Sequence, residues 1–257
     1  MEKQTTWFED GHEYPRLLAH CGGNECFTEN SKKGFEYSLA NGVTGFETDF
    51  RMSADGVIMI IHDSSTARTG DAALIVEHST LAELKKVKLK NSDESIPTAE
   101  EVFALFENRS CYVELEMKAR YGELYSFERM DEYLEKLYAL AVKYLSKGTY
   151  IFTSFDVPML KRMKELHADA KVGIISGPLT QETVDAAIAI GAFSIAPTLD
   201  GSPKELIDQA KAAGMKMNLW HAENIDIWNR AREMGADVCT SNHSVAVLKE
   251  ILNKKSR

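Results

Sequence analysis

The sequence predicts an α/β protein, a (β/α)8 TIM barrel with a small insertion after the hairpin that begins at its second strand. Three observations predict it. From Cys111 onward, helical and strand patterns alternate without a break, which means a mostly parallel sheet covered by helices. Strand-like runs centre near residues 18, 47, 59, 115, 152, 173, 195, 218 and 239. The link between the runs near 47 and 59 is too short for a parallel crossover, which takes a dozen or more residues, so the run near 59 is the returning arm of a hairpin. Eight strands remain, the number that closes such a barrel. A doubly wound open sheet is the alternative. No G-x-G-x-x-G opens a helix after the first strand, which counts against a dinucleotide-binding fold.

Residues 1–16 read as a polar lead-in. Arg16 to His20 is a short buried strand that runs into Cys21-Gly22-Gly23, where glycine lets backbone approach a ligand. Ser31 is placed to cap a helix near 32–41 that turns Phe35, Leu39 and Ala40 inward and ends at Asn41-Gly42. Gly45–Asp63 follows. Its Glu47 and Asp49 are two apart and so leave one face of a strand. Asp55-Gly56 is a hairpin signal, since glycine tolerates the positive φ of a tight primed turn. A two-residue turn there sets Asp49 directly opposite His62.

Residues 63–110 read as a small insertion or capping region within one 1–257 domain. It holds a polar loop from Ser64 to Gly70, a short helix over 81–87, a turn from Ser95 to Pro97, and a helix to about 107. That last helix opens on Thr98-Ala99-Glu100-Glu101, a capping-box pattern. The strand Cys111–Lys118 puts Glu114, Glu116 and Lys118 on one face and Val113, Leu115 and Met117 on the other. A charged face on so apolar a strand calls for solvent or a ligand. Helices near 125–146, 157–167, 180–190, 203–213 and 224–234 then precede strands at 149–154, 171–176, 193–198, 216–220 and 237–241, and a helix over 244–252 closes the chain.

With 257 residues, 44% of them apolar and 27% charged, the chain reads as soluble and globular and can bury a full core as one large α/β domain or two small ones. A net charge of −9 argues against nucleic acid as a partner, because such surfaces are basic; it leaves room for a local basic pocket. The four cysteines lack C-x-x-C spacing and read as free thiols of a reducing, cytoplasmic setting. No apolar run has the length of a membrane span, and no secretion signal is expected. Lys254-Lys255-Ser256-Arg257 reads as a solvated tail.

In a barrel of this kind, chemistry sits at the C-terminal ends of the strands. His20, Glu47, Asp49, Glu116, Lys118 and Trp220 all fall there, and the hairpin brings His62 to the same rim. Three carboxylates suit a hard cation such as Mg²⁺ or Ca²⁺ better than Zn²⁺. Two histidines can serve as general base and general acid near neutral pH, and a lysine beside a metal is a natural phosphate partner. Together they suit phosphoryl chemistry with a metal as Lewis acid. Alone, a histidine such as His20 is more often a hydrogen-bonded core residue, and a tryptophan such as Trp220 more often core packing than a substrate platform; their joint placement with the acids points to function. Strand alternation allows only one of Trp220 and His221 to face the centre.

Leu18-Ala19-His20-x-Gly22, Glu29-Asn30-Ser31, Gly45-Phe46-Glu47-Thr48-Asp49, Asp55-Gly56, Ile61-His62-Asp63, Glu116-Met117-Lys118 and Ser154-Phe155-Asp156 occur in that order. Together they resemble the signature of the glycerophosphodiester phosphodiesterases. The resemblance extends to Gly214 and Gly235-Ala236-Asp237 and so covers nearly the full length. It implies a TIM barrel with a small insertion after the His-Asp motif, and an enzyme of glycerol and lipid metabolism acting on a small-molecule phosphodiester. It implies metal ligands at Glu47, Asp49 and Glu116, an acid–base pair at His20 and His62, and Lys118 near the phosphate; Trp220, at the end of its strand, is the further candidate for contact with the substrate. The implied reaction passes through a cyclic phosphate that water then opens. Two positions depart from the family pattern. Cys21 stands where the family has arginine, and Trp220-His221-Ala222-Glu223 replaces its usual Trp-Thr-Val-Asn. Two other functions stay open at this point: a metal-binding barrel without turnover, and a related lyase that stops at the cyclic phosphate.

Overall fold

The computed structural model describes Phe8, residues 15–119 and residues 125–255. Most of the polar lead-in and the last two residues of the basic tail lie outside the described residues. The first strand, β1 (Arg16–Ala19), is followed by α1 (Lys32–Ala40), β2 (Gly45–Met52) and β3 (Ile58–Ile60). Then come α2 (Leu81–Leu84), α3 (Ala99–Phe106), β4 (Tyr112–Met117), α4 (Phe127–Tyr144), β5 (Tyr150–Ser154) and α5 (Val157–Leu166). The chain continues through β6 (Val172–Ile175), α6 (Gln181–Ile190), β7 (Ser194–Ala196), α7 (Lys204–Ala212), β8 (Lys216–Trp220), α8 (Ile225–Met234), β9 (Val238–Ser241) and α9 (Ser244–Lys255). Strands β1, β2 and β4 to β9 pair in parallel around a closed ring, sealed by Ala19 of β1 against Phe46 of β2. It is a TIM barrel, as expected from the strand count. α9 reaches Lys255, so the first half of the expected solvated tail is helix.

Local chemistry sets most boundaries. Ser31, Thr98, Thr180 and Asp156 each accept a hydrogen bond from a backbone N–H in the first turn of the helix they precede, which supplies partners for otherwise orphaned donors. Thr80 with Glu83 and Thr98 with Glu101 form complete capping boxes. α2 stops at Leu84, short of the expected 87. Beyond it the bonds tighten to three-residue spacing, Lys86 N–H to the Glu83 carbonyl and Val87 N–H to the Leu84 carbonyl, both at 3.1 Å.

Two apolar clusters lie outside the ring. The larger fills the space between the strands and the outer helices. It includes Phe46, Phe50, Phe103, Phe106, Leu115 and Phe152. α3 belongs to this cluster through Ala99, Val102, Phe103 and Phe106, so it acts as an outer helix of the barrel. The smaller cluster joins Met59 and Ile61 of the hairpin to Val76, Leu84, Val87, Leu89 and Ile96; only the stretch before α3 stands apart from the helical ring. Within the barrel, Leu18, Tyr112, Ile151 and Val238 pack together with Phe8 and Phe193.

The hairpin differs from the expected one. Phe50 pairs with Ile60 and Arg51 with Met59, so Asp49 falls opposite Ile61, whose N–H donates to the Asp49 carbonyl at 3.1 Å. The turn holds three residues, Ala54-Asp55-Gly56, rather than the two assumed. Gly56 N–H donates to the Ser53 carbonyl at 3.0 Å and Ser53 N–H to the Val57 carbonyl at 2.9 Å. Gly56 has φ +82°, the left-handed residue that completes a three-residue loop with a bulge. One extra residue shifts the register by one. His62 therefore reaches the rim after pairing has ended, held by its carbonyl, which accepts from Arg51 Nε at 2.8 Å.

Candidate functional site

Each strand of the ring delivers its side chains alternately to the helices and to the interior. On β2, Phe46 and Phe50 face the helices while Glu47 and Asp49 face inward. On β4, Val113, Leu115 and Met117 face the helices and Glu114 and Glu116 face inward. Parallel pairing sets Glu47 beside Glu114 and Asp49 beside Glu116. Lys118 follows at the strand end, 2.7 Å from Glu116 Oε1 and 3.3 Å from Asp49 Oδ1. Carboxylate oxygens of Glu47, Asp49 and Glu116 all lie within 4.8 Å of one another.

This cluster is almost wholly buried. Glu47, Asp49 and Glu116 are buried, and Asp49 is 0% exposed. Burial, and then the neighbouring acids, push Glu47 well above the ordinary carboxyl range; burial and Asp49 also raise Glu116. Burial works against Asp49 too. There Lys118, the histidines and a 2.7 Å hydrogen bond from Asn30 Nδ2 prevail and hold its carboxyl below the usual value. The same acids hold the Lys118 ammonium above its ordinary value although burial opposes it. One ammonium stands against three carboxyls. Glu47 Oε1 finds no hydrogen-bond partner among the described residues, and Asp49 Oδ1 has only the ion pair with Lys118. Buried acids at this density, with oxygens left over, suit a hard divalent cation, which takes oxygen ligands and favours the ionised carboxylates.

His20 follows β1 directly, in a short 3₁₀ turn over His20–Gly22. Its Nε2 lies 3.7 Å from Glu47 Oε2, and its Nδ1 lies 2.7 Å from Asn242 Oδ1. That amide is oriented by two further bonds, from Asn24 Nδ2 to Oδ1 at 2.8 Å and from its own Nδ2 to Glu223 Oε1 at 2.6 Å. An accepting oxygen puts the His20 proton on Nδ1 and leaves the Nε2 lone pair facing the acids. His62 has a different partner: its Nδ1 lies 2.6 Å from Asp63 Oδ1. Arg68 donates from Nε to Asp63 and from its two terminal nitrogens to Glu29, at 2.6, 2.7 and 2.7 Å. The Arg68 bond and His62 hold the Asp63 carboxyl down at about 2, although burial opposes them.

The rim encloses a cavity of about 170 Å³ lined by His20, Glu47, His62, Glu116, Lys118 and Trp220 among others. A second cavity of about 670 Å³ adjoins it through His62, Glu116, Lys118 and Phe155. All seven expected site residues thus converge: six line the first cavity, and Asp49 sits beneath Lys118. Trp220 spends its indole N–H on the Ala196 carbonyl at 2.7 Å, so it offers the cavity only its ring, near the exposed Phe155. His221 also lines the cavity, with its ring 4.9 Å from that of His20. The expectation that only one of Trp220 and His221 faces the centre fails because β8 ends at Trp220, beyond which strand alternation does not apply. The glycines after His20 serve packing: a Cβ on Gly22 would lie 2.5 Å from the Phe35 ring, so they admit α1 rather than a ligand.

Sequence reasoning missed Asn242, Asn24 and Arg68. The signal available was modest: Asn242-His243 follows the last strand, at the same rim as the other site residues. It also left the depth of Glu114 open. That side chain lies inside the barrel, bonded to Asn218 Nδ2 at 2.8 Å and to the Tyr112 hydroxyl at 3.4 Å. Burial pushes its carboxyl up to about 7.

Fold and donor set define a barrel whose rim cleft combines an acidic, cation-type cluster with two histidines and a lysine. The chain matches the model of the glycerophosphoryl diester phosphodiesterase family over residues 20–245, and it belongs to that family. It is 27% identical, over 227 residues, to the glycerophosphodiester phosphodiesterase of Caldanaerobacter subterraneus, covering 86% of this chain and 91% of that one. Among solved structures it is similar to an Oleispira antarctica phosphodiesterase in complex with the product sn-glycerol-3-phosphate. That match has a TM-score of 0.83 and 19% identity, and covers 93% of this chain and 97% of that one. A glycerophosphodiester phosphodiesterase from Parabacteroides distasonis matches with a TM-score of 0.80 and 19% identity over 96% and 100% of the two chains.

Proposed function

We propose that this protein hydrolyses glycerophosphodiesters to glycerol phosphate and an alcohol, with Mg²⁺ or Ca²⁺ held by Glu47, Asp49 and Glu116. The observation that carries this reading is the convergence of those three carboxyls, Lys118, His20 and His62 on one cleft. The relatives' names, and the product bound in the Oleispira enzyme, agree with it. The bound cation supplies Lewis-acid polarisation of a phosphoryl oxygen.

His20 and His62 are the acid–base pair. One takes the proton of the glycerol 2-hydroxyl as that oxygen attacks phosphorus; the other gives a proton to the departing alcohol. Water then opens the cyclic phosphate with the two roles reversed. Lys118 offsets charge on the phosphate oxygens, and the Trp220 ring packs against the substrate. The His20–Asn242 bond and the Asp63–Arg68–Glu29 chain hold the two rings in place. The stretch before α3, residues 63–98, acts as a capping region of a single domain, and Asp63 and Arg68 carry it to the edge of the cleft. Four free cysteines fit a cytoplasmic enzyme. Among the described residues no helix is long and apolar enough to cross a membrane.

Purified protein with Mg²⁺ or Ca²⁺ is expected to release glycerol phosphate from a glycerophosphodiester, and EDTA to stop it. ³¹P NMR checks the products. A cyclic phosphate as sole product moves the reading to a lyase, and metal binding without turnover across a diester panel moves it to a binding barrel.

A further inference from the structure

Two donor sets of different chemistry meet at Glu47. Glu47, Asp49 and Glu116 offer oxygen alone. His20, Cys21 and Glu47 offer a nitrogen, a sulfur and an oxygen, and these atoms also lie within 4.8 Å of one another. We propose that His20, Cys21 and Glu47 form a second metal site, selective for a thiophilic divalent ion of the zinc class, beside the carboxylate site and sharing Glu47 with it.

The donor types match what zinc takes, with metal–ligand bonds of about 2.0–2.3 Å, and three protein ligands leave a fourth position open. His20 presents Nε2 toward Glu47 Oε2 at 3.7 Å while Nδ1 is held by Asn242, the outer contact that orients a ligating imidazole. Cys21 is buried, and its backbone is in the left-handed region at φ +48°. Its Sγ lies 3.3 Å from Asp49 Oδ2, and its N–H donates to Glu47 Oε2 at 3.2 Å. The thiol therefore lies among the acids. Glu47 Oε1 is buried with no hydrogen-bond partner among the described residues, so the shared carboxylate has an oxygen to give. On binding, the Cys21 proton leaves to solvent and the thiolate ligates the ion. A thiol adds a soft donor to an otherwise hard site, and that is the difference zinc-class ions discriminate.

The consequence for turnover rests on the acid–base reading above: an ion on His20 Nε2 withdraws that nitrogen from proton transfer. The site itself is tested without turnover. The reduced full-length protein is titrated with Co²⁺ as a spectroscopic stand-in for zinc. The expected result is a thiolate-to-cobalt charge-transfer band in the near ultraviolet that added Zn²⁺ removes. Cys21→Ser is expected to lose the band, and Cys26→Ser and Cys111→Ser to keep it. If Cys21→Ser does not fold, His20→Gln serves as the second variant and is expected to weaken cobalt binding by about tenfold or more. A cobalt titration without the band, or a band that survives in Cys21→Ser, overturns the proposal. Because the readout is absorption, its failure is separate from failure of the hydrolytic reading.

Discussion

His20 and His62 enter the cleft with their Nδ1 atoms already engaged, one by a neutral amide and one by a carboxylate. That difference fixes both rings without making them equivalent. His20→Ala and His62→Ala are each expected to lower kcat by about 10²–10⁴-fold, measured with a diester and saturating Mg²⁺. Unchanged activity in either variant would remove that residue from the acid–base pair. Arg68 supports His62 through Asp63, and this gives a pH signature. The Asp63 carboxyl lies at about 2, below its ordinary 3.8. A depressed acid contributes stability that is present above the unfolded value and is lost as pH falls through the folded one. Arg68→Gln is thus expected to destabilise the protein above about pH 4, with the deficit closing between about pH 4 and pH 2. Urea unfolding across that range checks it; a pH-independent deficit contradicts it.

At the scale of elements, the β2–β3 hairpin decides where His62 arrives. A three-residue turn shifts every cross-strand pair by one position relative to a two-residue turn, and the rim position is reached only because the strand stops at Ile60. Gly56 makes that turn possible at φ +82°. A Cβ there would also crowd Glu132 Oε1 at 2.9 Å. Gly56→Ala is therefore expected to cost more than about 1 kcal/mol, seen as a lower chemical-denaturation midpoint with an unchanged slope. The helices were easier to read than the turn. Thr98-x-x-Glu101 announced the start of α3 through capping chemistry that is local in sequence, and α2 opens on the same chemistry at Thr80 and Glu83. Their ends were less legible, because α2 gives way to three-residue bonds without a glycine or proline to mark the place.

For the molecule as a whole, closure of β1 on β2 and β9 gathers side chains more than 200 residues apart into one rim; His20 and Asn242 are separated by 222 positions and meet at 2.7 Å. The small cluster around Leu84 ties the 63–98 stretch to the hairpin through Met59 and Ile61. Leu84→Ala removes a fully buried side chain there and is expected to cost about 2–5 kcal/mol. The single-domain proposal predicts one cooperative calorimetric transition that this variant moves to lower temperature; a separate low-temperature transition would make the insertion an independent unit.

The barrel, the hairpin's existence and the seven clustered residues were legible in the chain itself. Strand alternation, helix periodicity and capping pairs are short-range properties, and a closed parallel barrel carries the C-terminal ends of its strands to one rim. Three things were decided only by tertiary structure. The hairpin register depended on whether its turn held two residues or three. His221 shared the cavity with Trp220 because β8 ends where alternation would have turned it away. Asn242 and Arg68 became partners of His20 and of Asp63 through loops whose paths no local pattern encodes. Cys21 belongs to both lists: its departure from the family pattern is plain in the sequence, while its position 3.3 Å from Asp49 and beside His20 and Glu47 is a product of the closed ring.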